Sequence, residues 1–353
     1  MSRIKLHPSG HEIECQQGDT VLAAVERSGY ALPNNCRAGA CGECKVKVLQ
    51  GEFDQGIVLD MALSQEERAQ GFGLMCMAKP LSDELVIEWG TDDAKPKLFP
   101  PRENMLHIVT DKIRRTPRIT EFRFRPLGNP VRYWPGQYVM LGDATAGAPQ
   151  RSYSIAGAPR PDGEILLHVT RDATGATSRW LHDQVQVGDS VKLSGAYGTF
   201  IGDPSVETPV LCMAAGSGLA PILSLTEAAL RRGFKQPVKL LFSACTAEDI
   251  YNQGLMTFLQ AKNRRFKFIP TLTREKRDGM LSGRIPDLLP TQFTDLSGYT
   301  VFIAGTPEFV ASCKQAAKLL GAKDEMIHTE GYFQQQQPET PPANRLATAS
   351  AGR

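Results

Sequence analysis

Four cysteines in the N-terminal part of the chain have a spacing that suits metal binding. Cys36, Cys41 and Cys44 follow the pattern C-x4-C-x2-C, and Cys76 comes after 31 further residues. Most residues between the first three are small, two of them glycines, so backbone N–H groups can come close to the sulfurs. Half of the eight cysteines fall in this region. Such clustering indicates a metal centre rather than a disulfide scaffold.

This spacing is typical of plant-type [2Fe–2S] sites, in which one tight loop supplies three thiolates and a distant segment supplies the fourth. A zinc site and four unrelated buried cysteines are the alternatives, although zinc sites more often pair two C-x2-C motifs. The neighbouring segments predict a hairpin at residues 3–6 and 12–15. They also predict a helix that is capped by Asp19 or Thr20 and ends at Gly29. Residues 1–92 thus resemble a plant-type ferredoxin with a β-grasp fold. The resemblance implies that the cluster ligands are Cys36, Cys41, Cys44 and Cys76.

Between residues 105 and 203, short alternating runs of polar and apolar residues are broken by glycine and proline. The runs at 121–125, 137–141, 165–170 and 190–193 predict strands, and their spacing predicts an antiparallel β-barrel. Three motifs follow one another in this region: Tyr133-Trp-Pro-Gly-Gln-Tyr138, Arg151-Ser-Tyr-Ser154 and Gly175-Ala-Thr-Ser178.

In order and spacing, these motifs resemble the flavin domain of the ferredoxin–NADP reductase superfamily. The resemblance implies that Arg151 neutralises flavin phosphate, that Tyr153 packs on the flavin and that Ser154 forms a hydrogen bond near flavin N5. It also implies that residues 175–178 present backbone N–H groups to the phosphates at a helix N-terminus. Tyr153 as a barrel core residue and Arg151 as a solvated charge are the alternatives. The residues assigned to the flavin site here are Arg151, Ser152, Tyr153, Ser154, His168, Gly175, Thr177 and Ser178.

From about residue 205, apolar strand patterns at 209–213, 238–243, 266–271 and 300–304 alternate with helical patterns. This order predicts a doubly wound parallel sheet with crossover helices. The first strand leads into a G-x-G-x-x-P turn, whose glycines let a pyrophosphate approach the start of a helix. The turn matches the pyridine-nucleotide motif of the same superfamily. Where that superfamily usually has C-G-P-P, Ala304 replaces the cysteine, so any role of that thiol is absent or altered. The residues assigned to the nicotinamide nucleotide are Gly216, Gly218, Pro221 and Gly305.

The segment His328-Thr-Glu-Gly-Tyr-Phe333 resembles the acidic and aromatic terminus of the superfamily. The resemblance implies that Glu330 lies near the flavin and acts with Ser154 as a catalytic residue. Phe333 is assigned to the flavin site. Tyr332 could cover a flavin face as well, and either ring could instead belong to the core.

The turn after the second strand of the nucleotide domain bears on the choice of nucleotide. NADPH users of the superfamily tend to have Ser and Arg there, whereas this chain has Ser243 without the arginine, followed by Glu248 and Asp249. Carboxylates would repel a 2′-phosphate and could accept a hydrogen bond from a ribose hydroxyl. The turn therefore favours NADH, although Arg274 argues the other way.

The length of 353 residues suits two to three domains, and the composition is that of a soluble globular protein. Residues 1–95 carry 9 basic and 15 acidic side chains, net −6, whereas residues 96–353 carry 31 and 23, net +8. The total of +2 argues against a nucleic-acid binder, and neither a membrane span nor a signal peptide is apparent. We expect a ferredoxin module (1–92), a linker (93–104), a flavin-binding β-barrel (105–203), an NAD-binding α/β domain (204–333) and a disordered tail (334–353).

This order of modules resembles the reductase component of bacterial multicomponent oxygenases, such as phenol and toluene monooxygenases or benzoate dioxygenase. The resemblance implies electron flow from NADH through FAD and a [2Fe–2S] cluster to an oxygenase (hydroxylase) component, whose own iron centre would receive the electrons. FMN is less expected, because the phthalate-type reductases that use it carry their ferredoxin last. We expect a cytoplasmic monomer. Two alternatives stay open, namely a non-oxygenase acceptor of the deoxysugar dehydratase type and a module that senses redox state through its cluster.

Overall fold

The computed structural model describes residues 1–203, 205 and 207–333. The tail predicted at 334–353 lies outside the described residues. Among the described residues, no helix is both long enough and apolar enough to cross a membrane.

The N-terminal module is a five-stranded mixed sheet with one main helix. The predicted hairpin is confirmed, because β1 and β2 pair antiparallel, and β1 also pairs parallel with β7 in the sheet order β2-β1-β7-β3-β5. The Thr20 hydroxyl accepts a hydrogen bond from the Ala23 N–H, so Thr20 rather than Asp19 caps the predicted helix α1. The elements are β1 (Ser2–His7), β2 (Glu12–Cys15), α1 (Val21–Arg27), β3 (Lys45–Gln50), β4 (Phe53–Asp54), α2 (Gln65–Ala69), β5 (Phe72–Leu74), β6 (Lys79–Pro80) and β7 (Glu84–Glu88).

The predicted linker, residues 93–104, packs against both of its neighbours. The N–H groups of Lys97 and Leu98 each donate to the carbonyl of Gly29 at 2.8 Å, and Leu98 is buried. On the other side, the ring of Phe99 stacks on Trp134 of the second module at 5.9 Å. The linker prediction is wrong for residues 102–104, which already belong to the first barrel strand. The sequence does not reveal these contacts, because the partner residues lie tens of residues away along the chain. The prolines and charges of the segment by themselves favour a linker.

The second module is a six-stranded antiparallel sheet in the order β11-β10-β13-β8-β9-β12. The two edges meet where the Ala156 N–H donates to the Leu166 carbonyl at 2.8 Å, next to a bridge between Ile155 and Leu167. The sheet therefore closes on itself as the predicted barrel. Its elements are β8 (Arg102–Arg114), β9 (Ile119–Pro126), β10 (Tyr138–Asp143), β11 (Ala148–Ser154), β12 (Ile165–Thr170), α3 (Ala176–Asp183) and β13 (Ser190–Tyr197).

The third module is a six-stranded parallel sheet in the order β17-β16-β15-β14-β18-β19. Its first strand β14 lies in the middle, with β15 on one side and β18 on the other. The order in which strands are added therefore reverses at β14, which opens a crevice at the carboxyl ends of the strands. The elements are β14 (Val210–Ala215), α4 (Leu219–Arg231), β15 (Val238–Ala244), α5 (Gln253–Lys262), β16 (Phe266–Leu272), β17 (Leu281–Ser282), α6 (Ile285–Gln292), β18 (Thr300–Gly305), α7 (Pro307–Leu319) and β19 (Ile327–Gly331). The predicted doubly wound sheet is confirmed.

Candidate functional site

The cluster loop directs backbone N–H groups at cysteine sulfur. The amides of residues 38, 40 and 41 lie 3.5, 3.4 and 3.3 Å from Sγ of Cys36. The amide of Cys76 lies 3.4 Å from Sγ of Cys44. Such dipoles stabilise negative charge on sulfur and so adjust the potential of an iron–sulfur centre.

Gly39 makes this tight loop possible. Its φ of +68° lies in the left-handed region, and a Cβ there would approach Cγ1 of Val58 to 2.8 Å and the Ile57 carbonyl oxygen to 3.0 Å. Any larger residue would push the loop off the segment beneath it and move the sulfurs. The small residues noted in the sequence therefore have a steric reason.

The four cysteines form two hydrogen-bonded pairs, Cys36 with Cys41 and Cys44 with Cys76. The hydrogen bond from Cys41 lowers the pKa of the Cys36 thiol to about 5 despite its burial, which favours the thiolate that binds metal. Across the described residues, no three His, Cys, Asp or Glu side chains converge as they would around a single ion. Two pairs suit a two-iron cluster with two thiolates per iron.

A cleft of about 870 Å³ lies between the barrel and the nucleotide domain. The barrel contributes β11, β12 and the start of α3, and the nucleotide domain contributes Ser217, Ala220 and Thr306. All the residues that the sequence assigned to the flavin site line this cleft, namely Arg151, Ser152, Tyr153, Ser154, His168, Gly175, Thr177, Ser178 and Phe333.

The start of α3 lines the cleft, and the structure corrects one point of the expected phosphate contacts. The Gly175 N–H donates to Oδ1 of Asp172 at 2.9 Å, so this amide is already occupied. Gly175 has no side chain to cap α3, and the first-turn residues Thr177 and Ser178 line the cleft. Their N–H groups and the Arg151 guanidinium, which lines the same cleft, are the donors that suit an anionic phosphate.

Ser154 and Glu330 meet at the inner end of the cleft, although 176 residues separate them. The Ser154 hydroxyl donates to Oε1 of Glu330 and lies 3.2 Å from the Tyr332 hydroxyl. The Tyr332 hydroxyl also lies 3.4 Å from the Ser217 carbonyl and so links this group to the nucleotide loop. Burial raises the pKa of Glu330 to about 7. A carboxyl group that titrates near neutrality can give or take a proton under physiological conditions.

The nucleotide loop follows β14, as the G-x-G-x-x-P pattern predicts. A Cβ at Gly218 would overlap the Ala304 carbonyl, so only glycine lets the loop lie this close to the end of β18. Gly305 ends β18, and Pro221 lies in the first turn of α4. These residues do not line the flavin cleft, but their neighbours Ser217, Ala220 and Thr306 do. The loop therefore lies where a nucleotide would meet the flavin.

Carboxylates surround the turn after β15. Asp249 accepts hydrogen bonds from the backbone N–H and hydroxyl of Thr246, at 3.1 and 3.2 Å. Glu275 accepts from the Ala247 N–H at 2.7 Å, and Glu248 is exposed. Negative charge at this turn disfavours a 2′-phosphate, in line with the preference for NADH.

His168 lies in a buried network that the sequence did not reveal. Its Nε2 is 3.4 Å from the Glu121 carboxylate, and its Nδ1 is 3.4 Å from the Tyr251 hydroxyl. Tyr251 in turn lies 3.1 Å from the Gly216 carbonyl. Both ring nitrogens thus face other side chains, and burial lowers the pKa of His168, which keeps the ring neutral. The network ties the barrel to the nucleotide loop.

A second cavity, of about 110 Å³, joins the cluster loop to the flavin cleft. Cys36 lines it together with Ser154 and Glu330. Next to Cys36, the Arg37 guanidinium lies 2.7 Å from both oxygens of the buried Glu26 carboxylate. On its other side the guanidinium lies 4.5 Å from the Tyr197 ring of the barrel. The ion pair fixes Arg37 within its own module, and the cation–π contact with Tyr197 holds the cluster loop against the barrel.

Fold and site together define an oxidoreductase that brings a thiolate cluster loop, a flavin cleft and a nucleotide loop into one continuous region. Residues 4–81 match the family described as "2Fe-2S iron-sulfur cluster binding domain". Residues 108–201 match "Oxidoreductase FAD-binding domain", and residues 212–315 match "Oxidoreductase NAD-binding domain". The predictions of a [2Fe–2S] cluster, of FAD rather than FMN and of a nicotinamide domain are therefore confirmed.

Curated relatives match over nearly the whole chain. The reductase subunit of an aromatic O-demethylase from an Amycolatopsis species is 33% identical over 329 residues, which cover 92% of this chain and 96% of the relative. The reductase component of phenol 2-monooxygenase from a Pseudomonas species is 33% identical over 315 residues, 87% of either chain. The crystal structure of the Amycolatopsis cytochrome P450 reductase GcoB superposes with a TM-score of 0.86 at 29% identity, covering 94% of this chain and 98% of that one. The chain belongs to the family of reductase components of oxygenase systems.

Proposed function

We propose that this protein passes electrons from NADH to the oxygenase component of an aromatic-compound oxygenase system. The observation that carries the proposal is the small cavity that Cys36 shares with Ser154 and Glu330. It brings the cluster loop and the inner end of the flavin cleft together, so electrons can pass between them without any large movement of the modules.

The chemistry that a bound FAD would supply is acceptance of a hydride from NADH and release of its two electrons one at a time to the [2Fe–2S] cluster. The chain's own residues bind and orient these groups. Arg151 and the first turn of α3 hold phosphate, and the loop at Gly216 and Gly218 orients the nucleotide. Ser154 and Glu330 hold a proton beside the flavin, because the Glu330 carboxyl titrates at about 7.

The four paired cysteines hold the cluster, and the acceptor is a protein rather than an organic substrate. The relatives are reductase components that serve oxygenases, and we extend that role to this chain. We further propose that the acceptor is the iron centre of the oxygenase and that this chain works as a monomer in the cytoplasm, where NADH is plentiful and thiols stay reduced.

Replacement of Cys41 by Ser tests the order of electron flow. A serine oxygen is a harder and less readily ionised ligand than a thiolate, so the cluster should be lost. The variant should keep its flavin and reduce ferricyanide with NADH at the wild-type rate. It should lose most of its cytochrome c reduction, because that acceptor draws on the cluster.

Two contrasting variants complete the test. Tyr153→Ala and Arg151→Ala should impair both reactions by weakening flavin binding, which is measured as flavin content per chain. If Cys41→Ser abolished ferricyanide reduction while flavin content stayed intact, the route from flavin to cluster would be wrong. If it left cytochrome c reduction untouched, the cluster would serve as a sensor instead.

A further inference from the structure

The segment that supports the cluster loop exposes three large apolar side chains. Ile57, Leu59 and Met61 are 86%, 50% and 85% exposed. The intervening Val58 is half-buried against the module core, and Ala62 belongs to that core. Val58 and Ala62 anchor the segment to the core, whereas residues 57 and 59–61 are exposed to solvent. Isolated exposed apolar residues are common, but a run of three on one short segment marks an interaction surface.

This segment touches the cluster loop directly. The Leu59 N–H donates to the Gly39 carbonyl at 3.0 Å, and a Cβ at Gly42 would lie 3.3 Å from the Ala62 carbonyl. Gly39 and Gly42 lie between the ligand cysteines of the loop. The apolar surface is therefore separated from the cluster ligands by no more than one layer of backbone.

The flavin lies on a different side of the cluster loop. The cavity toward the flavin is lined by Asn35 and Cys36, and no residue of 57–62 lines it. Arg37, beside Cys36, is held against the barrel by Tyr197. The loop thus has one end turned to the flavin and another supported by the apolar segment, which is open to solvent.

Acidic side chains surround the apolar segment. Residues 43–68 contain six Asp or Glu against two Lys and one Arg, net −3. Asp54 and Glu66 are exposed, and the Asp60 side chain is 79% exposed although it pairs with Arg68 at 3.2 Å. The lysine at 45 is already paired with Glu67 at 2.6 Å. An apolar centre with an acidic rim complements a surface that has an apolar centre and a basic rim.

Resting on the proposed function, we propose that Ile57, Leu59 and Met61, rimmed by Asp54, Asp60 and Glu66, form the surface on which the acceptor protein docks to receive electrons from the cluster. The occupant is a redox protein whose metal centre reaches the surface amid apolar and basic side chains. Met and Ile supply adaptable apolar contact, and the carboxylates guide the approach.

Mitochondrial cytochrome c serves as the probe, because lysines surround its exposed haem edge. The double variant Ile57→Ser/Met61→Ser should raise the KM for cytochrome c about tenfold, the effect expected when central interface residues are lost. The dissociation constant for immobilised oxidised cytochrome c, measured by surface plasmon resonance, should rise by the same factor. Asp60→Asn should weaken the dependence of association rate on salt.

Leu319→Ser is the matched control, since Leu319 is 81% exposed but lies on the nucleotide domain at the end of α7. NADH–ferricyanide activity and the visible spectrum of the cluster should be unchanged in every variant.

If wild-type protein failed to reduce the cluster with NADH, the proposed function would be wrong. If Ile57→Ser/Met61→Ser bound and reduced cytochrome c as the wild type does, the docking surface would be wrong while the function stood. If light scattering showed that the wild type is a dimer and the double variant a monomer, the surface would bind a second copy of this chain. That result would overturn the proposal.

Discussion

The raised pKa of Glu330 gives a quantitative prediction for the stability of the protein. The carboxyl has an ordinary pKa of 4.5 and a pKa of about 7 in the folded chain, because burial disfavours the charged form. The folded state therefore binds this proton more tightly than the unfolded state does. The contribution of this carboxyl to the free energy of unfolding therefore decreases as the pH rises from about 4.5, and it is lost completely just above pH 7.

Replacement of Glu330 by Gln removes the titration while keeping the shape of the side chain. From the two pKa values and about 1.4 kcal/mol per unit, the free energy of unfolding of the variant should exceed that of the wild type by under about 1 kcal/mol at pH 5 and by about 3 kcal/mol at pH 8. Urea unfolding of both proteins across this pH range, followed by circular dichroism, measures the difference.

Ser154→Ala provides the second variant. The Ser154 hydroxyl donates to the ionised carboxylate and lowers the pKa of Glu330, so its removal should shift the pH dependence to higher pH. The rate of ferricyanide reduction by the wild type should change with pH around a midpoint near 7. This change should be absent in Glu330→Gln. A stability difference between Glu330→Gln and wild type that is equal at pH 5 and pH 8 would refute the assignment of a buried carboxyl with a raised pKa.

Two further predictions concern the nucleotide and the module interface. NADH should be preferred to NADPH by kcat/KM, and Cys245→Arg, which restores the missing cation after β15, should raise kcat/KM for NADPH about tenfold; a wild-type ratio at or below one would contradict this. Arg37→Leu leaves the Glu26 carboxylate buried without its partner, so it should lower the free energy of unfolding by about 3–5 kcal/mol and slow cytochrome c reduction more than ferricyanide reduction. Adding Glu26→Gln to that variant should recover most of the stability but not the rate, and recovery of both would reduce Arg37 to a purely structural role.

The sequence by itself determined the modules, and the residues that it assigned to the flavin site all line one cleft of the structure. The cysteine spacing, the R-x-Y-S motif and the G-x-G-x-x-P turn each lie within one short stretch of chain, because loops that hold sulfur or phosphate need particular residues at neighbouring positions. Strand patterns likewise depend on nearby residues, so the barrel and the parallel sheet could be predicted. Tyr332 stayed undecided, since an aromatic residue after a strand suits the core and a ligand equally well.

The tertiary structure alone decided how the modules meet. The resemblance placed Ser154 and Glu330 near the flavin, but only the structure shows that the hydroxyl donates to the carboxylate. Nothing near Arg37 in the sequence points to Tyr197. The same holds for Tyr251, which connects His168 to the loop at Gly216. The raised pKa of Glu330 and the shared cavity at Cys36 exist only where separate modules exclude water from the same space. Short sequence motifs determine which groups a module can bind. The packing of the modules against each other determines the protonation of buried side chains such as Glu330 and the distance over which electrons must pass.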